Sequence, residues 1–366
     1  MTEAECYGSF GVRPRTTIEA YIHEQPAVLR RIFDEVPALV AAVQRELPAR
    51  PGAIVLIGSG TSGHALMAVR ALVARRLACP VFVCGPLVFI AEAPMSAVAG
   101  SLAIVLSQSG ASRTTVEAVG VARARGMATL VITAEPDSAI AALAGPRIIM
   151  PVGSETVGPK TKGYTASVAT LLCLALGAGV ARARDEAAAV VDALQSDLRT
   201  WRRWSRRLAD KYAAAGHAMV LGQGRHLGTA LEASLKITEM SGLAVSVFET
   251  EEGLHGRFHG LDSTSPAFFV AATPEESLLA RSTMVTLAGL RIPCELATLG
   301  GESGSGNLGV RLPPLSALPE LDLLAAVVPF QLLAHDLALA RGMAPQSMRY
   351  PGLSAQLGIK TSAEEL

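Results

Sequence analysis

Neither sign of charge prevails in this chain. Its 32 lysines and arginines meet 32 aspartates and glutamates, which excludes the basic balance of a nucleic-acid partner or an acidic-surface binder. Cysteines are few: Cys6, Cys79, Cys84, Cys173 and Cys294 are odd in number, scattered, and mostly set in apolar runs. No disulfide framework and no zinc spacing follow from them, so the expectation is reduced cytosolic thiols and no metal site. Met1 to Arg15 lacks the basic-then-apolar pattern of an export signal, which agrees with a cytoplasmic location. Charge is also missing from Gly163 to Ala181, a stretch about as long as a bilayer is thick. Because Gly, Thr, Ser and Ala run through it and it stands alone, the expectation is a helix buried between domains or subunits, with no membrane partner.

Aromatics are scarce as well, at 4%, whereas half of the 366 residues are hydrophobic and Ala, Val, Leu and Gly dominate. That composition suits α/β layers whose parallel strands are buried on both faces. Strand, glycine turn and helix recur along the chain. Ala53 to Ile57 leads through Gly58-Ser59-Gly60-Thr61-Ser62-Gly63-His64 into a helix expected from Ala65 to Leu77. Further strands are expected at Pro80–Cys84, Ile104–Leu106, Ala128–Thr133 and Arg147–Val152. Ahead of them, Thr16 and Thr17 are placed to cap a short helix, and Pro26 to start a second turn-in before Leu29.

The chain is organised around Ser107-Gln108-Ser109-Gly110-Ala111-Ser112, where a buried strand breaks into hydroxyls before a helix begins. Ser107, Ser109, Ser112 and Thr115 then gather at a helix N-terminus, where dipole and free amides favour a dianion such as phosphate. Ordinary capping by Ser and Thr is the plainer reading of such a turn. Gly58, Gly60 and Gly63 also spell the G-x-G-x-x-G of a dinucleotide site, but the strand that follows ends in Cys84-Gly85-Pro86, with no carboxylate for a ribose hydroxyl. No cofactor is therefore expected, and His64 reads as a capping or partly buried histidine.

A polar loop from Gly153 to Thr165 puts Lys160 and Lys162 at the start of the charge-free helix, a poor place for cations unless an anion is near. An amphipathic connector follows with Val190, Val191, Leu194, Leu198, Trp201 and Trp204, and then the pattern returns. Ala218 to Gly224 repeats Ile54 to Gly60 at an offset of 164 residues, the mark of an internal duplication. Strands are expected near Leu243–Phe248, Ala267–Ala272, Pro293–Thr298 and Leu308–Leu312, but Ala271-Ala272-Thr273-Pro274-Glu275 stands where the first copy has its serines. The second copy offers Glu232, Lys236 and Glu239 along one helix edge, a spacing that by itself reads as a surface ion pair. It also offers His255 and His259 in a glycine-rich loop. A carboxylate, a histidine and a phosphate seat together permit proton transfer.

In order and spacing the sequence resembles the double-SIS (sugar isomerase) family, typified by the isomerase half of glucosamine-6-phosphate synthase, over nearly its whole length. The features that carry the resemblance are Glu24-Gln25-Pro26, Gly60-Thr61-Ser62, Ser107-Gln108-Ser109-Gly110, Glu155 with Thr161-Lys162, Leu231-Glu232 with Lys236 and Glu239, His255-Gly256, and Lys360 near the C-terminus. The fold implied is α/β, with two tandem doubly wound parallel-sheet SIS domains of flavodoxin-like order. Its expected divisions are a helical arm over 1–45, a first domain over 46–186, a connector over 187–212, a second domain over 213–345 and an active-site tail over 346–366. Thr61, Ser62, Ser107, Gln108, Ser109 and Ser112 are implied to hold a sugar phosphate, with Glu155, Lys160 and Lys236 around the sugar. Glu239 is implied to move a proton between C1 and C2. His255, from a partner subunit of a homodimer, is implied to open the ring, with His259 its rival, and Lys360 to close the tail over the carbonyl.

Three departures bear on the substrate: Lys160 stands where the synthase has serine, Ala111 where it has glutamate, and Arg257 where proline is usual. Thr2 follows Met1, and no glutaminase segment is recognised, so glutamine-dependent amination is not expected. What remains is an isomerase or deaminase of an aminosugar phosphate, or a deglycase of phosphorylated fructosamine. A phosphosugar sensor without catalysis, or a dinucleotide enzyme, accounts for fewer of these residues.

Overall fold

The computed structural model describes residues 17–92, 100–143, 145–299, 307–310, 315 and 318–365. Cys6, Thr16 and the rest of 1–16 lie outside the described residues, as do Arg311 and Leu312 of the last expected strand. Helix α1 (Thr17–Gln44) is followed by β1 (Ile54–Ile57), α2 (Thr61–Leu77), β2 (Val81–Cys84), α3 (Pro86–Glu92), β3 (Leu102–Leu106) and α4 (Arg113–Ala124). Then come β4 (Ala128–Thr133), the short α5 (Ala139–Ala142), β5 (Arg147–Ile149), α6 (Lys162–Leu176) and α7 (Val180–Tyr212). The second half holds β6 (His217–Gly222), α8 (His226–Ser241), β7 (Ala244–Glu249), α9 (Thr250–Leu254), β8 (Ala267–Ala271), α10 (Pro274–Gly289), β9 (Cys294–Leu299) and β10 (Asn307–Val310). Helices α11 (Leu323–Ala326), α12 (Val328–Ala340) and α13 (Leu353–Gln356) complete it.

Both halves form a five-stranded parallel sheet, ordered β2-β1-β3-β4-β5 and β7-β6-β8-β9-β10. In each sheet the first strand of its half is second in space, so the chain reverses direction beside it. In open α/β sheets, ligand crevices lie at such a switch, outside the carboxyl ends of the strands. The turns there match as well: Gly60 and Gly224 both take left-handed backbone, φ +53° and +55°, where an L side chain is strained.

Period-two alternation assigns each strand residue to a layer. Ile54, Leu56, Ile104 and Leu106 of the first sheet share one hydrophobic core with Val220, Phe268 and Val270 of the second, through α1, α2, α6, α7, α8 and α12. Val55, Ile57, Ala103 and Val105 face the other way, toward α3 and α4, and Met219, Leu221 and Phe269 likewise toward α10. The two sheets are thus covered on both faces and joined through a common helical layer.

Several expectations about helices change. Helix α1 runs unbroken through Pro26 and Pro37, because its buried face (Ile18, Ile22, Leu29, Ile32, Val36) outweighs the lost amide hydrogen bonds. Helix α2 starts at Thr61 rather than Ala65: the turn at Gly60 is tight enough for the His64 amide to donate to the Gly60 carbonyl at 2.9 Å. The helix in the charge-free stretch, α6, ends at Leu176 before the stretch does, and α1, α2, α7 and α11 of the same chain cover it. Among the described residues one helical stretch, Pro319–Ala340, is long and apolar enough to cross a membrane, and 89% of its apolar window is buried inside the protein.

Candidate active site

The serine loop after β3 is held in place by both its neighbours. The Ser107 amide donates to the Ile132 carbonyl at 3.0 Å, and the Gln108 amide donates to Ser62 Oγ at 3.3 Å, tying the loop to the first turn of α2. Gly110 sits at φ +62°, where a Cβ would lie 1.9 Å from Ser138 Oγ, so only glycine permits this turn. Ser112 takes the N-cap position of α4 in extended backbone, but its side chain makes no cap bond and instead accepts from Thr115 Oγ1 at 2.8 Å. The corresponding helix of the second sheet differs. On α10, Thr273 and Glu276 form a reciprocal capping box with Pro274 in the first turn, so that helix end is closed by its own side chains. The serine loop and the closed α10 end thus separate the two copies as their sequences suggest.

Glu155 lies at the next helix end. It is buried, and its carboxylate accepts from the Thr161 amide at 2.6 Å, Thr161 Oγ1 at 3.0 Å, the Lys162 amide at 3.2 Å and the Gly163 amide at 3.0 Å. This is the anion that the two lysines at the start of α6 require, and the chain supplies it. Neither lysine is a plain solvated flank. Lys162 is buried, pairs with Glu24 at 2.6 Å and lies 4.5 Å from the Tyr21 ring centroid. Lys160 is half-buried and donates to the Glu155 carbonyl. Next to Glu24, Gln25 donates to Gln331 at 2.8 Å and accepts from Thr165 Oγ1 at 2.9 Å, so the lead-in motif clamps α6 to α1 and α12.

On α8 the surface ion-pair reading fails. Glu232 and Lys236 have side-chain exposures of 0% and 1%, because α8 packs against α2 and α12 and presents this edge to the other half of the chain. Lys236 Nζ lies 2.5 Å from Glu239 Oε2, 3.3 Å from Thr61 Oγ1 and 3.4 Å from Glu232 Oε1. Thr61 donates to Glu232 Oε1 at 3.1 Å, and His64 Nδ1 lies 2.8 Å from Glu232 Oε2. Burial alone would push the Lys236 ammonium toward losing its proton, but Glu232 and Glu239 outweigh it and hold the group above the ordinary lysine range. Burial raises Glu239 above the usual carboxylate range, with Lys236 drawing it part of the way back. The result is a rigid, partly exposed carboxylate beside a fixed cation.

Lys360 reaches the serine loop from the tail. It bridges Ser112 in antiparallel fashion, with the Arg113 amide donating to the Ile359 carbonyl at 3.1 Å and the Thr361 amide to the Ala111 carbonyl at 2.8 Å. Burial holds Lys160 below the ordinary lysine range; Glu155 and Glu135 oppose this, while Lys360 and Lys236 act with it. His255 is apart from this group. Its side chain is 68% exposed at the end of α9 and meets Glu251 at 2.7 Å, and His259 is exposed too. The structure therefore brings together Thr61, Ser62, Lys236 and Glu239 across α2 and α8, joins Gln108 to Ser62, and lays Lys360 on Ser112. Sequence spacing did not mark His64 as a partner of Glu232: those residues stand 168 apart, and only the α2–α8 crossing makes them neighbours.

Two flavodoxin-like sheets sharing a helical layer, with a serine loop at one switch point, define a tandem doubly wound α/β protein. Residues 49–177 match the SIS domain family. It is 28% identical to glutamine–fructose-6-phosphate aminotransferase (isomerizing) of Gloeobacter violaceus over 348 residues, 88% of this chain and 55% of that protein. The chain thus spans about half the length of the curated relatives it matches. Among solved structures, one from Clostridium difficile 630 superposes with a TM-score of 0.84 at 22% identity, covering 95% of this chain and 100% of that one. Glucosamine-6-phosphate deaminase from Thermotoga maritima superposes with a TM-score of 0.74 at 19% identity, covering 92% and 98%.

Proposed function

We propose that this protein is an isomerase or deaminase of an amino- or N-substituted sugar phosphate, working by proton transfer between C1 and C2. The observation that carries the reading is the Glu232–Lys236–Glu239 row, buried except at Glu239 and joined through Thr61 to the turn whose Ser62 secures the serine loop. The phosphate binds at Ser107, Ser109 and Ser112 with Thr61, Ser62 and Gln108 beside it, where amides, hydroxyls and the α4 dipole favour a dianion. With the phosphate fixed there, Glu239 takes the proton next to the open-chain carbonyl, and Lys236 stabilises the negative charge that develops. Lys360 covers the carbonyl from the tail, and Lys160 faces the sugar with Glu155 behind it. The buried amide of Gln108, whose side-chain nitrogen and oxygen have no partner, is one more group available to the ligand. Retention of Glu239, Lys236 and Lys360 around one seat favours catalysis over sensing. The test is a panel of phosphorylated aminosugars and fructosamines assayed for released amine and for aldose–ketose exchange. Turnover of none of them rejects the reading, and the preferred member separates deaminase from deglycase.

Ser109→Ala is expected to weaken sugar-phosphate binding by roughly 1–3 kcal/mol through loss of a charge-assisted hydrogen bond, with little effect on the unphosphorylated sugar. Calorimetric titration of both ligands checks this, and equal phosphosugar affinity in wild type and variant removes the seat.

The exposure of His255 supports a homodimer in which this histidine serves the partner's site and opens its sugar ring. The second motive for a dimer, an unpartnered charge-free helix, lapses because the chain covers α6 itself. Mixing inactive Glu239→Gln with inactive His255→Ala should restore part of the activity if sites are shared. Free subunit exchange with no recovery would mean that each site is built within one chain.

A further inference from the structure

Histidine 64 stands in the first turn of α2, two residues after the Ser62 that holds the serine loop, and its ring crosses to the other half of the chain. A carboxylate only accepts, so at 2.8 Å from Glu232 Oε2 it is Nδ1 that carries the ring proton. Glu232 is wholly buried, and its two oxygens are divided: Oε2 takes His64, while Oε1 takes Thr61 and Lys236. Lys236 in turn has Glu232, Thr61 and Glu239 as partners. The order His64–Glu232–Lys236–Glu239 is continuous and ends on the proposed base. Cohesion between the helices does not depend on this bond. They already cross at van der Waals limits where a Cβ on Gly228 would lie 2.7 Å from the Ala68 backbone and from the His64 carbonyl.

Resting on the function proposed above, we infer that His64 is a positioning residue for proton transfer: it orients Glu232, which holds the Lys236 ammonium against Glu239. Without the histidine, Glu232 Oε2 is left unpaired in a dry site. The carboxylate then turns to recover a donor from Thr61 or Lys236 and draws the ammonium away from Glu239. A displacement of about 1 Å in such a group can cost on the order of 100-fold in rate.

The experiment compares His64→Leu and His64→Asn with wild type on the phosphorylated substrate that wild type turns over. In His64→Leu, kcat should fall by roughly 10- to 100-fold while KM stays within about threefold, because the phosphate seat is intact. Asparagine places an amide N–H where Nδ1 stood, so His64→Asn should recover kcat to within about fivefold of wild type. Unchanged kcat in His64→Leu overturns the proposal, and so does a His64→Asn no better than His64→Leu, since the ring would then carry the proton itself. A crystal structure of ligand-free His64→Leu tests the same point without turnover. Lys236 Nζ should move away from Glu239 by about 1 Å or more, and an unmoved Lys236 overturns the proposal whether or not a substrate has been found. Absence of wild-type turnover across the panel would instead reject the functional reading and leave this geometric test standing.

Discussion

Replacing Glu239 by glutamine is expected to lower turnover by roughly 100- to 10,000-fold while phosphosugar affinity stays close to wild type. Glutamine keeps the shape of the side chain, and its amide still reaches Lys236, so the helix and the seat should be undisturbed. What is lost is the only group in the row that is both partly exposed and able to accept a proton. The pH profile carries a second signature. A base works deprotonated, and burial holds Glu239 above the ordinary carboxylate range. In wild type kcat/KM should therefore fall, as pH is lowered, at a pH higher than that of an unperturbed glutamate, about 4.3. Lys236 opposes that rise, so Lys236→Met should move the limb to still higher pH. Single-turnover kinetics across pH, with binding measured separately, checks both. A Glu239→Gln enzyme at half of wild-type turnover would remove Glu239 as the base, and an unmoved limb in Lys236→Met would remove the coupling.

The largest effect on stability should come from Glu155→Ala. That carboxylate satisfies three backbone amides and the Thr161 hydroxyl at the buried start of α6. Each buried donor left without a partner costs about 1–3 kcal/mol, so a loss of roughly 3–6 kcal/mol is expected, a large share of a typical domain's stability. Glu155→Gln should lose less, because one oxygen remains for Thr161 and Lys162 while the Gly163 amide loses its acceptor. Urea denaturation of both variants followed by circular dichroism is the measurement. Near-wild-type stability in Glu155→Ala would show that solvent or a rearranged loop takes over the cap. Since the Glu155 carboxylate fixes the loop whose backbone carbonyl, at Glu155 itself, accepts from Lys160, the alanine variant should also loosen sugar binding by letting that loop shift, whereas a purely peripheral cap would leave it unchanged.

The site divides along the same line as these predictions. The serine loop was legible locally, since an apolar strand, a run of hydroxyls and a periodic helix are signals within a dozen residues. The duplication was legible as well, because Gly58-Ser59-Gly60 and Gly222-Gln223-Gly224 follow strands of one pattern, and both third positions adopt the same left-handed turn. Lys360 was different. No spacing ties it to Ser112, and only the resemblance to the SIS family led to expecting the tail there; in the structure the Ile359 and Thr361 backbone hydrogen bonds hold it against the serine loop.

Sequence by itself therefore determined the layers, the strands and which of the two copies keeps its serines, because burial on both faces and helix-end chemistry are written in neighbouring residues. Tertiary structure decided what Glu232, Lys236 and Glu239 are. Their spacing is that of a solvated helix edge, and its meaning changed only because α8 crosses α2 closely enough to exclude water, bringing Thr61 and His64 from the far half of the chain. It likewise decided that Glu155 caps α6, that α1 continues through two prolines, and that the charge-free helix is enclosed by its own chain. In each case the outcome depends on desolvation by partners distant in sequence, which no local pattern records.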